Sequence, residues 1–212
     1  MCAIHGIVDV KPELMMKMVK AAHHRGPDGN GIFEDDYITL GHNLLSIVGQ
    51  VEDSKQPYHY EDCILVFNGE IYNFRALRQE LEAAGHAFRT HSDSEVILHG
   101  WRHWGADCVS HFQGMFAFAI HDARTKQLFM ARDRVGVKPL FYAPIADGSV
   151  LFGSELKVLT ARLEQRGWPQ PSKGPARARL LTGWRPSCRG GAPGRVGASP
   201  ARHPAGGCGG AV

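Results

Sequence analysis

Little in this chain points to metal, membrane or nucleic-acid chemistry. Its five cysteines (Cys2, Cys63, Cys108, Cys188 and Cys208) are scattered and form no Cys-x-x-Cys pair, which removes the usual zinc and iron–sulfur spacings. The twelve histidines contain no His-Glu-x-x-His, and the adjacent His23-His24 do not share a face on a helix. No run is apolar for long enough to span a membrane, and the N-terminus has no basic stretch followed by an apolar one. We therefore expect no metal, no membrane partner and a cytoplasmic location in which thiols stay reduced. Acidic residues are absent from residue 166 to the end, where eight of the 24 Lys and Arg residues lie. Residues 1–165 carry the other 16 basic residues against all 21 acidic ones, a net of −5, although the whole chain is +3. That sign argues against a nucleic-acid partner for the main body.

What is present suits one domain with an appendage. The chain has 212 residues and is 43% hydrophobic, enough for a real core. A strand is expected over Ala3–Val8, ending near Gly6. Apolar residues at helical spacing predict a helix over Pro12–His23, and Arg25-Gly26-Pro27-Asp28-Gly29 reads as a turn-forming loop. Tyr37–Ile47 alternates like a strand pair. Cys63–Phe67 is an apolar strand, followed by an expected turn at Asn68–Asn73. Helices are expected over Phe74–Ala84, stopped by Gly85, and from a Ser92 or Asp93 cap to about Trp101. Met115–His121, Gln127–Arg132, Leu140–Pro144 and Ser149–Ser154 read as short strands in a meander. Grouped strands and helices of this kind indicate an α+β layered fold. Residues 166–212 are rich in Gly, Pro, Arg and Ala and lack apolar periodicity, so we expect a disordered tail after a 1–165 domain. The tail reads either as a natural basic extension or as an out-of-frame continuation.

Cys2 is the residue with the most chemical promise. Removal of Met1 leaves it as the N-terminus, with a thiol and a free α-amino group on one residue. An α-amino group ordinarily titrates near ~7.7–8.0, so it can serve as a general base at neutral pH. The plain alternative is a small buried hydrophobe on a strand.

The alternatives narrow when Met1-Cys2-Ala3-Ile4 is taken with Arg25-Gly26-Pro27-Asp28-Gly29, Phe67-Asn68-Gly69-Glu70-Ile71-Tyr72-Asn73 and Ser92-Asp93-Ser94-Glu95-Val96-Ile97. Gly114–Ala119, Ala131–Leu140 and Gly153-Ser154-Glu155-Leu156-Lys157 extend the series. In this order and spacing the chain resembles the glutaminase domain of class II glutamine amidotransferases, and most closely that of asparagine synthetase. The resemblance implies a four-layer αββα sandwich of the N-terminal-nucleophile hydrolase type, with two mostly antiparallel sheets. It implies that Cys2 attacks the side-chain amide of glutamine, that Asn68 and Gly69 stabilise the oxyanion, and that Asp93 binds the substrate ammonium. Glu70, Ile47 and Val48 fall on substrate-contacting segments, and Arg25 shapes the site. Arg132, Asp133 and Lys157 read as scaffold. Asp93 as a helix cap and Asn68-Gly69 as a hairpin turn are the structural alternatives.

Three departures accompany the resemblance. Ala3 stands where the family usually has Gly. Leu44 stands where the family has the arginine that clamps glutamine's α-carboxylate, and an apolar side chain cannot replace a bidentate guanidinium. The ATP-binding Ser-Gly-Gly-x-Asp-Ser loop of the synthetase domain has no match, so ATP and magnesium belong to a domain not found here and this chain carries no cofactor. The ammonia is then expected to pass to a separate synthetase subunit. Two rival readings follow from Leu44 and the missing domain: a truncated, catalytically silent remnant or scaffold, and an N-terminal-cysteine hydrolase of another amide.

Overall fold

A computed structural model describes residues 1–46, 55–145 and 148–160, together with the backbone of Leu181–Thr182. In chain order the elements are β1 (Ala3–Ile7), α1 (Pro12–Ala21), β2 (Gly29–Glu34), β3 (Thr39–Leu44), β4 (Tyr58–Tyr60) and β5 (Cys63–Ile71). Then come α2 (Phe74–Ala83), α3 (Asp93–Trp104), α4 (Cys108–His111), β6 (Gly114–Asp122), β7 (Gln127–Arg132), β8 (Phe141–Pro144), β9 (Val150–Gly153) and β10 (Leu181–Thr182). One sheet has the order β2-β3-β1-β9-β8 and the other β10-β7-β6-β5-β4. All pairs are antiparallel except β10 against β7.

Side-chain alternation along the strands builds four layers. Ile4, Leu40 and Phe152 of the first sheet meet Ile64, Val66, Ala117 and Met130 of the second in an apolar seam between the sheets. The opposite face of the first sheet, with Ala3, Ile7 and Leu151, packs on Met15, Met18 and Val19 of α1. The opposite face of the second, with Leu65, Phe67, Phe118 and Phe129, packs on Leu77 and Leu81 of α2 and Val96 and Ile97 of α3. This is the αββα sandwich expected from the resemblance. Local signals agree with it. Pro12 opens α1 where its missing N–H costs nothing. Ser92 is the N-cap of α3, its side chain accepting from Ser94 N at 3.1 Å.

Four expectations change. The described part of Tyr37–Ile47, up to Ser46, holds one strand, β3, which pairs with β2 on the preceding segment and with β1. Asn68-Gly69 is not a turn: β6 is nine residues long and pairs with β5 all the way to Ile71, so the strand continues through both residues. The last four strands do not form one meander. β6 and β7 stay in the second sheet, while β8 and β9 cross to the first, where β9 pairs with β1. β1 itself runs through Gly6 to Ile7. Of the segment after residue 165, Leu181–Thr182 pairs with Phe129 and Met130 of β7, and the rest lies outside the described residues.

Candidate active site

Cys2 immediately precedes β1, and alternation with Ile4 aims its side chain into the seam between the sheets. Its Sγ receives the Leu45 N–H at 3.4 Å and lies 3.7 Å from the Leu45 carbonyl oxygen. The thiol is therefore held beside the end of β3, which pairs with β1 from Ala3↔Asn43 onward. Cys2 is partly exposed, whereas burial pushes the thiols of Cys63 and Cys108 up to about 11 and about 12. Of these three, Cys2 alone has the access a nucleophile needs.

Across the seam, β5 carries the predicted oxyanion pair. Asn68 is buried and shares the facing of Ile64 and Val66, toward the first sheet. Its Nδ2 is buried without a hydrogen-bond partner, an arrangement that costs stability and that folds normally avoid. The amides of β5 alternate between β6 and the opposite edge. Phe67 N points to that edge, donating to Gln56 Oε1 at 2.6 Å, and Ile71 N does too, donating to Asp93 Oδ2 at 3.0 Å. Gly69 N–H, two residues from each, has the same direction, along an edge that β4 covers only as far as Leu65. Glycine is required there by close approach: a Cβ at residue 69 would lie 2.2 Å from the Met115 carbonyl oxygen.

Asp93 follows the Ser92 cap and reaches back to β5, so it is more than a cap. Burial, and then the charge of Glu70, raise its carboxyl above the ordinary value, against the Ile71 hydrogen bond that lowers it. It makes no ion pair among the described residues, which leaves a partly desolvated carboxylate suited to a cation. Glu70 itself is exposed. Leu44 is buried at the end of β3, opposite Gly29 of β2, and shares the seam-facing side with Leu40. Ile47 and Val48 lie outside the described residues.

Arg25 donates from Nε to the Cys2 carbonyl at 3.2 Å and from Nη1 to Glu155 Oε1 at 3.2 Å. Its Nη2 is shut off from solvent without a partner. Arg25 thus supports the backbone of the nucleophile residue, with one donor left unpaired. Glu155 was not among the expected site residues, since 130 residues separate it from Arg25 in the chain. Asp133 accepts from the amides of Phe116, Val137 and Lys138, and Arg132 Nη2 donates to the Gly136 carbonyl at 2.6 Å, both consistent with scaffold. Lys138 is buried, and its Nζ lies 3.4 Å from Met1 Sδ. Sequence reasoning missed this proximity, since 137 residues separate the two in the chain.

Two buried histidines brace the strands around the thiol. His5 Nε2 meets Asn43 Oδ1 at 2.7 Å, and burial lowers its pKa to about 4. Burial likewise lowers His42 to about 3, while its hydrogen bond to the Phe67 backbone ties β3 to β5 next to Asn68. Both are neutral at pH 7 and act as braces, not as charged groups.

The model of the glutamine amidotransferase domain family matches residues 1–171, slightly past the change of composition at residue 166. Asparagine synthetase [glutamine-hydrolyzing] 3 of Bacillus subtilis is 42% identical over 171 residues, covering 76% of this chain and 28% of that protein. The probable asparagine synthetase [glutamine-hydrolyzing] of Dictyostelium discoideum is 41% identical over 168 residues, covering 75% of this chain and 30% of that protein. The chain thus spans less than a third of the length of these relatives. Among solved structures, glutamine phosphoribosylpyrophosphate amidotransferase from B. subtilis is similar in fold, with a TM-score of 0.64 at 21% identity over 76% of this chain and 43% of that one. The family match and the two-sheet fold agree with the thiol at the head of β1: this chain belongs to the class II glutamine amidotransferases, as a domain homologous to the glutaminase half of asparagine synthetases.

Proposed function

We propose that the domain hydrolyses the side-chain amide of glutamine to glutamate and ammonia, with Cys2 as the nucleophile. The observation that carries this reading is the buried, unpartnered Nδ2 of Asn68 on the seam that Cys2 faces. After Met1 is removed, the α-amino group of Cys2 takes the thiol proton as Sγ attacks the amide carbon. The developing oxyanion accepts from Asn68 Nδ2 and Gly69 N–H. Collapse breaks the C–N bond, the amine proton goes to the leaving nitrogen, and ammonia departs. Water then attacks the thioester, releasing glutamate and restoring the thiol. Asp93 meets the substrate ammonium, with Glu70 adding negative charge at the rim; for Ile47 and Val48 the substrate-contacting role rests on the resemblance alone. No step calls for a metal or nucleotide in this domain. The ammonia passes to an acceptor site outside these residues, on a separate synthetase subunit or a further domain, and Cys2 requires a reducing compartment such as the cytoplasm.

Leu44 favours a second reading, hydrolysis of an amide whose acyl part bears no carboxylate. Glutamate release from glutamine, with intact mass confirming loss of Met1 and Cys2→Ala as control, separates the two. Release that disappears in Cys2→Ala supports glutaminase activity. Turnover of neutral acyl amides with none of glutamine supports the second reading, and no turnover of either supports the silent remnant.

A further inference from the structure

We propose that Glu155 is a positioning residue for Cys2, acting through Arg25. Arg25 stands on the 3-10 turn His23–Arg25 after α1, and its guanidinium divides between the Cys2 carbonyl and Glu155 Oε1, each at 3.2 Å. The Arg25 side chain is only 10% exposed, so its charge has to be met inside the protein. Among the described residues its ion-pair partner is Glu155.

Glu155 is held from several sides. His24 Nε2 lies 3.1 Å from Oε1, and Lys157 Nζ 3.2 Å from Oε2. Burial opposes a charge on this carboxyl, but hydrogen bonds from His24, Arg25 and Lys157 outweigh it and hold the pKa below the ordinary value. The anchor is therefore ionised throughout the neutral range. One residue earlier, Ser154 Oγ accepts from Ile4 N, and Ser154 N donates to the Ile4 carbonyl, both at 3.0 Å. The end of β9 thus grips β1 twice, at Ile4 through Ser154 and at Cys2 through the Glu155–Arg25 bridge.

The bridge matters because Cys2 becomes a chain terminus. A terminal residue has no preceding peptide to hold it, and strand ends fray first. A nucleophile displaced by about 1 Å loses on the order of a hundredfold in rate. Glu155 touches neither the substrate nor the reacting atoms; it fixes the guanidinium fork, and the fork fixes the Cys2 carbonyl. Loss of the carboxylate should therefore lower kcat and leave KM, which depends on Asp93 and its neighbours, nearly unchanged.

The kinetic half of the test rests on the glutaminase reading, and the labelling half does not. Glu155→Gln, which keeps shape, and Glu155→Ala are compared with Arg25→Ala and the double variant Arg25→Ala/Glu155→Gln, all in the full chain after Met1 removal. We expect kcat to fall about tenfold or more with KM within about twofold. Iodoacetamide, read peptide by peptide, should alkylate Cys2 several-fold faster as the terminus loosens, while Cys63 and Cys108 stay protected. The double variant should be no worse than Arg25→Ala alone, because the two residues act in series. Wild-type kcat and wild-type Cys2 labelling in Glu155→Gln would overturn the proposal, as would losses that add in the double variant. Should Glu155→Ala not fold, the isosteric Gln variant decides. Should the wild-type protein release no glutamate, unchanged labelling still refutes the proposal and faster labelling still supports it, and the kinetic failure falls on the glutaminase reading.

Discussion

At the residue scale, Asn68 and Leu44 are two positions whose chemistry packing alone does not explain. A buried amide nitrogen without a partner costs about 1–3 kcal/mol. Asn68→Leu removes that cost at similar volume, so its Tm should equal or exceed the wild-type value. In the same variant kcat should drop about 10²–10³-fold, the usual loss for one oxyanion donor. Thermal melts and glutamate release on one preparation test both halves; a variant that is less stable and equally active would remove Asn68 from the site. Leu44 poses the opposite problem, an apolar side chain where a carboxylate is expected. A charged hydrogen bond contributes about 1.5–3 kcal/mol, so Leu44→Arg should lower KM for glutamine by about tenfold or more if nothing else binds the carboxylate. An unchanged KM would mean that a cation elsewhere, such as the buried Lys138 beside Met1 or Arg25 beside Cys2, already serves it.

At the scale of elements, the three longer helices were legible, while the short α4 and the sheet order were not. Local signals decide a helix: Pro12 at the start of α1, Ser92 at the cap of α3 and Gly85 with φ +94 after α2 are all contained in a few residues. Strand partners are set by contacts distant in the chain, so nothing in Val150–Gly153 announces that it will leave β7 and join β1. The same limit applies to Asn68-Gly69. An Asn-Gly pair is a strong hairpin signal, yet here the nine-residue ladder to β6 overrides it. For the site, the expected roles of Cys2, Asn68, Gly69 and Asp93 could be attached to positions because motifs carry them. Glu155 could not, because its importance comes from Arg25, 130 residues away. β5 therefore supplies an element-scale test. Gly69→Ala puts a methyl against the Met115 carbonyl oxygen, which forces β5 and β6 apart at one rung. We expect loss of activity together with a Tm lower by several degrees, on the order of 1–3 kcal/mol for overpacking. Full stability in Gly69→Ala would show that the ladder is looser there than the close approach implies.

At the scale of the whole molecule, two buried histidines, His5 joining β1 to β3 within the first sheet and His42 reaching from β3 to Phe67 of the second, also set its response to acid. His5 is held down to about 4 by burial, with the charge of Arg25 adding to the effect and the Asn43 hydrogen bond opposing it. His42 is held down to about 3, by burial first and then by the charge of His5. In the unfolded chain both titrate near ~6.5. As the pH falls below that value, the unfolded chain takes up protons that the folded one refuses, and stability declines. The decline continues until the folded-state values are reached, near 4 for His5 and near 3 for His42, and amounts to about 3 kcal/mol or more for each. Above pH ~6.5 neither residue contributes any slope. Urea midpoints should thus be flat from pH 8 to 7 and fall steadily between about 6.5 and 4.5, before most carboxylates begin to titrate. Glutamine in place of His5 keeps a neutral polar side chain next to Asn43 and cannot take the proton, so the slope in that window should become shallower. The remaining slope comes from His42 and from His59, His86 and His99, which burial also lowers. Because His5 lies on β1 and His42 joins β3 to Phe67, acid should loosen the nucleophile strand and the oxyanion strand together. Loss of activity and loss of near-UV circular dichroism should then share one midpoint. A pH-independent urea midpoint across 6.5 to 4.5 would mean that the two imidazoles take up protons without opening the seam, and that the sheets are held there by the surrounding apolar contacts alone.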